Sequence, residues 1–275
     1  KKLEIANLND CLPKILVPVH LSGQSCDMKR IKELCDKYDI KILEDASHAI
    51  GGSYQGEPIG GCKYSDITVF SFHPVKIVTT AEGGAALTND YKLATKMALY
   101  RSHGITRDLD EMTEVEHGPW YYQQITLGYN YRMTELQAAL GISQMVRLTE
   151  FVSTRHKIAE RYNSLLQDLP VQIPYQLNKT YSSLHLYVIQ LCLDDISVSH
   201  REVFEDLRAK NIFVNLHYIP VHIHPYYIKM GFKYGDFPES ERYYSQSISL
   251  PMYPGLLEKD QDYVVESLTM ALKKK

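Results

Sequence analysis

The sequence of 275 residues has no apolar run near the ~20 residues that a membrane-spanning helix needs, which excludes a membrane-embedded working part. It has no C-x-x-C pair. Its five cysteines, Cys11, Cys26, Cys35, Cys62 and Cys192, are scattered and odd in number. That pattern argues against a disulfide framework and against a zinc site, and it predicts free thiols in a reducing, cytoplasmic setting. No charge of one sign dominates: 30 basic and 33 acidic residues leave a formal charge of −3, with no basic stripe. Nucleic acid and anionic membrane are therefore excluded as expected partners. The opening Lys1-Lys2-Leu3-Glu4 does not read as a secretory signal. Tryptophan occurs once but tyrosine 21 times, so some tyrosines are expected to line an interface or a polar cleft.

What is present is ordinary globular material, 44% apolar and 23% charged, enough for a sizeable core. The first half alternates strand and helix signals. Ile15–Val19, Ile42–Glu44, Thr68–Phe72 and Ala85–Thr88 read as short strands, and residues 27–38 read as an amphipathic helix capped by Asp27. This predicts an α/β domain with a mostly parallel sheet over residues 1–150. Thr134 is a good N-cap for a long helix that runs to about Leu169, with a break expected between Leu148 and Val152. A smaller α+β domain is expected over 151–275. Its predicted parts are strands at 184–191 and 212–216, a helix from Ser199 to Lys210, and a closing helix from Gln261 to Leu272. No Gly- or Ser/Thr-containing phosphate turn precedes the first strand, so the chain is expected to start inside a domain.

Four residues are the first candidates for chemistry. Lys76 follows a predicted strand and sits beside Val75, Ile77 and Val78; desolvation there would lower its pKa and favour imine formation. Asp45 lies just past a strand, where parallel sheets place ligand-binding groups; it could hold a pyridinium protonated, or it could simply cap a helix. His48 could pack on a cofactor ring or be a buried structural histidine. Ser71 is a candidate phosphate ligand or a strand hydroxyl, and Gly83-Gly84 would permit close backbone approach. An amine, a carboxylate and a hydroxyl so grouped meet the demands of pyridoxal 5'-phosphate (PLP). Asn130 and Arg132 stand ahead of a helix N-terminus, either as an anion-binding pair or as polar groups of an ordinary cap. His217, His222 and His224 lack metal-ligand spacing, and no metal site is expected.

Four ordered segments resemble the DegT/DnrJ/EryC1/StrS family of PLP-dependent sugar aminotransferases. They are Glu44-Asp45-Ala46-Ser47-His48-Ala49, Ser71-Phe72-His73-Pro74-Val75-Lys76 with Glu82-Gly83-Gly84, Gly128-Tyr129-Asn130-Tyr131-Arg132-Met133, and Val214–His222. The resemblance implies a type I aminotransferase fold and a homodimer with shared active sites. It implies Lys76 as the Schiff-base and proton-transfer lysine, Asp45 on the pyridine nitrogen, His48 beside the ring, Ser71 on the phosphate, and Asn130 reaching the partner's phosphate. His73, Tyr131, Arg132, His217 and Tyr218 are the implied substrate-side residues. The implied substrates are glutamate and a nucleotide-linked 4-keto-6-deoxy sugar. Pro18-Val19-His20-x-x-Gly23-Gln24 and Trp120-Tyr121-Tyr122 are similar to the branch serving pseudaminic acid biosynthesis. The family also has a further N-terminal stretch with a phosphate-binding turn and a ring-stacking aromatic. Its absence leaves two other expectations open: an inactive fragment, or a remnant that only binds a partner. A dehydratase on the same scaffold would carry histidine where this chain keeps Lys76.

Overall fold

The computed structural model describes residues 1–274. In the first half run α1 (Lys2–Leu8), β1 (Ile15–Leu16), α2 (Met28–Asp36), β2 (Lys41–Asp45), β3 (Ser53–Tyr54), β4 (Glu57–Pro58), β5 (Ile67–Ser71) and β6 (Gly84–Leu87). There follow α3 (Tyr91–Arg101), β7 (Ile105–Thr106), β8 (Gln123–Gln124), α4 (Glu135–Met145) and α5 (Leu148–Leu166). The remainder holds β9 (Val171–Gln172), β10 (Thr180–Tyr181), β11 (Tyr187–Leu191), α6 (His200–Ala209), α7 (Pro225–Ile228), α8 (Pro238–Gln246), β12 (Ser247–Leu250) and α9 (Glu258–Leu272). The chain divides into two compact units: Lys1–Leu148 with Lys179–Ser182, and Thr149–Asn178 with Ser183–Lys275. No helix among the described residues is long and apolar enough to cross a membrane.

In the first unit a four-stranded sheet is ordered β1-β2-β5-β6. β1, β2 and β5 are parallel, with Leu43 opposite Ile67 and Asp45 opposite Val69. β6 runs antiparallel to β5, placing Gly84 opposite Ser71. The expected mostly parallel sheet therefore has an antiparallel edge, because the turn between β5 and β6 has no crossover helix to reverse the chain. The strand expected over Ile15–Val19 pairs only at Ile15–Leu16, then touches β2 again through a single Val19–Asp45 bridge. Pro18 lies between, and it has no amide proton for a ladder. Asp27 caps α2 as expected, accepting from the Arg30 amide. Met28 and Cys35 of α2 pack with Ile40, Ile42 and Tyr54, which buries the apolar stripe of the helix against β2. Thr134 caps α4 with a reciprocal box to Gln137. The helix break falls at Val146–Arg147, ahead of the expected 148–152, where the Arg147 amide tightens onto the Gln144 carbonyl three residues back.

The second unit has an antiparallel sheet ordered β12-β11-β9. Its core is larger: Tyr162 and Leu166 of α5, Ile189 and Leu191 of β11, Leu207 of α6 and Leu268 of α9 all join it. Ser199 caps α6 with a box to Glu202, as expected. The strand expected at 212–216 is a single bridge, Asn215 to Ser249, on the side of β12, which sequence reading did not find. Its neighbour Phe213 is 73% exposed, so the segment lacks the second face that would extend the pairing. α9 starts at Glu258, three residues before the expected Gln261, with Glu258 and Asp260 favoring its positive N-terminal end. Arg155 is buried here, and its Nη1 donates to the carbonyls of Leu184, His185 and Met252, so the charge is solvated by backbone rather than by water. Burial lowers its pKa to about 10.

Candidate active site

The carboxyl ends of β2 and β5 lie side by side, and the candidate residues project from them. Asp45 is the last residue of β2 and is half-buried. Its Oδ1 accepts from the Ser47 amide at 3.0 Å, an Asx turn that bends the chain toward His48. His48 is buried, and its Nδ1 accepts from the Ser22 amide at 3.3 Å. Ser71 ends β5, and its Oγ accepts from the His73 amide at 3.4 Å.

Between β5 and β6 the chain makes a closed turn. Phe72 donates to the Gly83 carbonyl and accepts from Thr80, and the Lys76 amide donates to the His73 carbonyl at 2.9 Å. The His73 ring serves this turn: its Nδ1 accepts from the Val75 amide, and its Nε2 stands 3.9 Å from Glu82. Of the apolar neighbours of Lys76, Ile77 and Val78 are buried, whereas Val75 is 66% exposed. Lys76 itself is half-buried. Burial pushes its ammonium below the usual lysine range, and the nearby Asp45 carboxylate pulls in the opposite direction.

The two glycines are needed where they stand. A Cβ on Gly84 would lie 2.6 Å from the Phe70 carbonyl oxygen, and one on Gly83 would run into the Thr80 hydroxyl. The same Gly83 Cβ would be 2.9 Å from Met133 Cε, so the segment carrying Asn130, Tyr131 and Arg132 abuts the lysine turn. That segment is pinned by an Asn130–Ser102 bridge and by main-chain bonds from Tyr129 and Tyr131 to Tyr100 and Arg101. Asn130, Tyr131 and Arg132 are exposed, and the Tyr129 and Tyr131 rings stack with centroids 4.7 Å apart. His217 and Tyr218 lie in the second unit, where His217 Nδ1 is 2.8 Å from Ser249 Oγ. His222 there pairs with Glu241 at 2.7 Å. All five cysteines are free thiols.

Sequence reading passed over the support of this site. His20 is fully buried, and its Nε2 lies 2.7 Å from Glu44 Oε2. Glu44 also accepts from Ser65 and Thr68, and its pKa falls because these bonds outweigh its burial. The available signal was an acid alternating with Asp45 at an inward strand position, but nothing in the sequence names its partner.

With Asp45 at the end of β2 and a half-buried Lys76 in the turn after β5, on a mostly parallel sheet, the fold is of the type I aminotransferase class, as the solved structures that match it show. The solved structure of Helicobacter pylori PseC, an aminotransferase involved in the biosynthesis of pseudoaminic acid, matches 97% of this chain and 69% of its own with a TM-score of 0.86 at 30% identity. The PLP-form of Spr1654 from Streptococcus pneumoniae matches 97% and 71% with a TM-score of 0.82 at 26% identity. Residues 5–269 match the DegT/DnrJ/EryC1/StrS aminotransferase family, and the chain belongs to that family. Among curated relatives, the spore coat polysaccharide biosynthesis protein SpsC of Bacillus subtilis is 39% identical over 93% of the chain and 66% of its own length. The UDP-4-amino-4,6-dideoxy-N-acetyl-beta-L-altrosamine transaminase of Campylobacter jejuni is 35% identical over 93% and 65%. The chain thus spans about two thirds of the length of these relatives.

Proposed function

We propose that the protein transfers an amino group from glutamate to a nucleotide-linked 4-keto-6-deoxy sugar, with PLP carried on Lys76. The observation that carries this reading is a half-buried Lys76 in the turn after β5, with Asp45 at the carboxyl end of the neighbouring strand β2. The C. jejuni transaminase supports a UDP-linked, N-acetylated sugar, and the match to H. pylori PseC supports a place in pseudoaminic acid biosynthesis.

The residues present fit the cofactor. Burial lowers the pKa of Lys76, so the amine gives up its proton more readily than an exposed lysine, and condensation with an aldehyde runs through the neutral amine. When bound, PLP supplies the aldehyde that takes up the amino group and a ring that withdraws electrons from the adjacent carbon. Asp45 would hold a proton on the pyridine nitrogen. His48, oriented by the Ser22 amide, would flank the ring. Ser71 would hold the phosphate within one subunit, and Asn130 would reach the phosphate of the other. Lys76 would also move a proton to or from the reacting carbon. His73, Tyr131, Arg132, His217 and Tyr218 would meet substrate; for His73 this adds to its part in the lysine turn.

A homodimer is part of this reading. α4 leaves Leu136 and Ile142 exposed at 85% and 69%, with Leu127 ahead of it at 87% and Val146 just past it at 82%, an apolar surface of the kind that partners cover. So is a cytoplasmic setting, which the five free thiols support.

Borohydride reduction of the PLP-loaded protein, followed by peptide mapping, tests the assignment. The expected result is a single fixed label on Lys76 and loss of both label and visible absorbance in Lys76→Ala. Label on another lysine defeats it. Product analysis with glutamate and a panel of UDP-linked keto-sugars tests the substrate.

A further inference from the structure

We propose that His20 is a positioning residue for the reaction: together with Glu44 it clamps the carboxyl end of β2 and so holds Asp45 at the strand end next to the β5–β6 turn that carries Lys76. The proposal rests on the reading of Lys76 and Asp45 given above.

The loop that follows β1 grips the end of β2 at four points. The Asp45 amide donates to the Pro18 carbonyl at 2.9 Å, and the His20 amide donates to the Asp45 carbonyl at 3.0 Å. The His20 ring reaches Glu44, and the Ser22 amide reaches His48. On the opposite side, β5 holds the same strand through the bond from the Ala46 amide to the Val69 carbonyl. Main-chain bonds from both flanks thus place the backbone of Asp45, and the loop that supplies two of them is itself tied to β2 through the His20 ring.

The ring chemistry gives the clamp a direction. The Cys26 amide donates to His20 Nδ1 at 3.2 Å, so that nitrogen carries a lone pair and the proton sits on Nε2. Nε2 then donates to Glu44. The carboxylate receives further bonds from Ser65 and Thr68, and Thr68 is opposite Glu44 in the ladder. An anion buried in this way is costly to leave unpaired, and three donors converge on it. Fully satisfied buried networks of this kind hold one geometry. The geometry held here is that of the residue next in sequence, Asp45.

The position of Asp45 can be read without the cofactor, through the charge it exerts on Lys76. Competitive labelling with trace acetic anhydride across pH, on the full cofactor-free chain, measures the titration of Lys76 by mass spectrometry of its peptide. In His20→Ala the carboxylate moves off, Lys76 loses a stabilising charge, and its labelling near pH 8 rises about threefold, the size of a half-unit fall in pKa. Asp45→Asn gives at least the same rise. The double variant gives no more than Asp45→Asn alone, because His20 acts through Asp45. His20→Gln, whose amide nitrogen can replace Nε2, stays at the wild-type rate. An unchanged rate in folded His20→Ala, or additive effects in the double variant, overturns the proposal. If His20→Ala does not fold, the same cycle with Ser65→Ala, which removes another donor to Glu44, decides it on the same criteria. Borohydride label on a lysine other than Lys76, with the cycle intact, removes the functional reading and leaves the clamp standing.

Discussion

Replacing Asp45 by asparagine changes a charge and almost no volume at a half-buried strand end. The fold is expected to persist, and turnover by the loaded enzyme to drop roughly a hundredfold or more, the scale on which losing one preorganised electrostatic contact slows an enzyme. Steady-state kinetics with circular dichroism check this; full turnover in a folded Asp45→Asn removes Asp45 from the mechanism. Leu268 tests packing instead. It is fully buried in the core of the second unit, so Leu268→Ala should cost about 2–5 kcal/mol in urea unfolding, from lost transfer energy and an unfilled cavity. A cost under about 1 kcal/mol would mean that the site collapses around the gap. Lys76, Asp45, His48 and Ser71 stand out in the sequence as candidates because chemistry-bearing side chains contrast with apolar strands. The role of His73 within its own turn was not legible there, since a ring nitrogen accepting from an amide two residues on depends on turn geometry.

At the scale of elements, the capping signals at Asp27, Thr134 and Ser199 were correct because caps are local: the acceptor and its amide lie within four residues. Thr134→Ala should cost about 1 kcal/mol, seen as a lower urea midpoint with an unchanged slope. A second element is the loop 233–237, tied by Glu241, whose carboxylate accepts from His222 and from the Gly235 and Phe237 amides. Burial opposes ionisation of Glu241, but these bonds prevail and its pKa lies below the ordinary 4.5. A depressed carboxyl pKa contributes stability above the ordinary value, and that contribution is lost as pH falls through the folded-state value. Hydrogen exchange at the Gly235 amide, corrected for intrinsic rates, should therefore show protection that is flat above pH 5 and falls in more acidic buffer. Glu241→Gln should show little of that loss. The strands expected at 15–19 and 212–216 shrank to two residues and to one bridge. Apolar runs mark burial well, but pairing needs a neighbour with free donors along the whole run, and no local pattern reports that.

For the whole molecule, the exposed apolar side chains of α4 carry the dimer reading. Leu136→Glu with Ile142→Glu should shift sedimentation from dimer to monomer while leaving the circular dichroism unchanged; an unaltered mass would place any association elsewhere. The chain's own residues determined the class: alternating strand and helix signals, a lysine after a strand, an acid at the end of its neighbour, and four ordered motifs are local facts. Tertiary structure alone decided that the strand ending in Asp45 pairs with the strand that leads to Lys76. It also brought a histidine twenty-four positions upstream to Glu44, and made the fourth strand of the sheet run the opposite way. The reason is physical. Propensity, capping and hydrophobic period act over a few bonds, whereas burial and pairing depend on which distant segments the collapsed chain brings into contact.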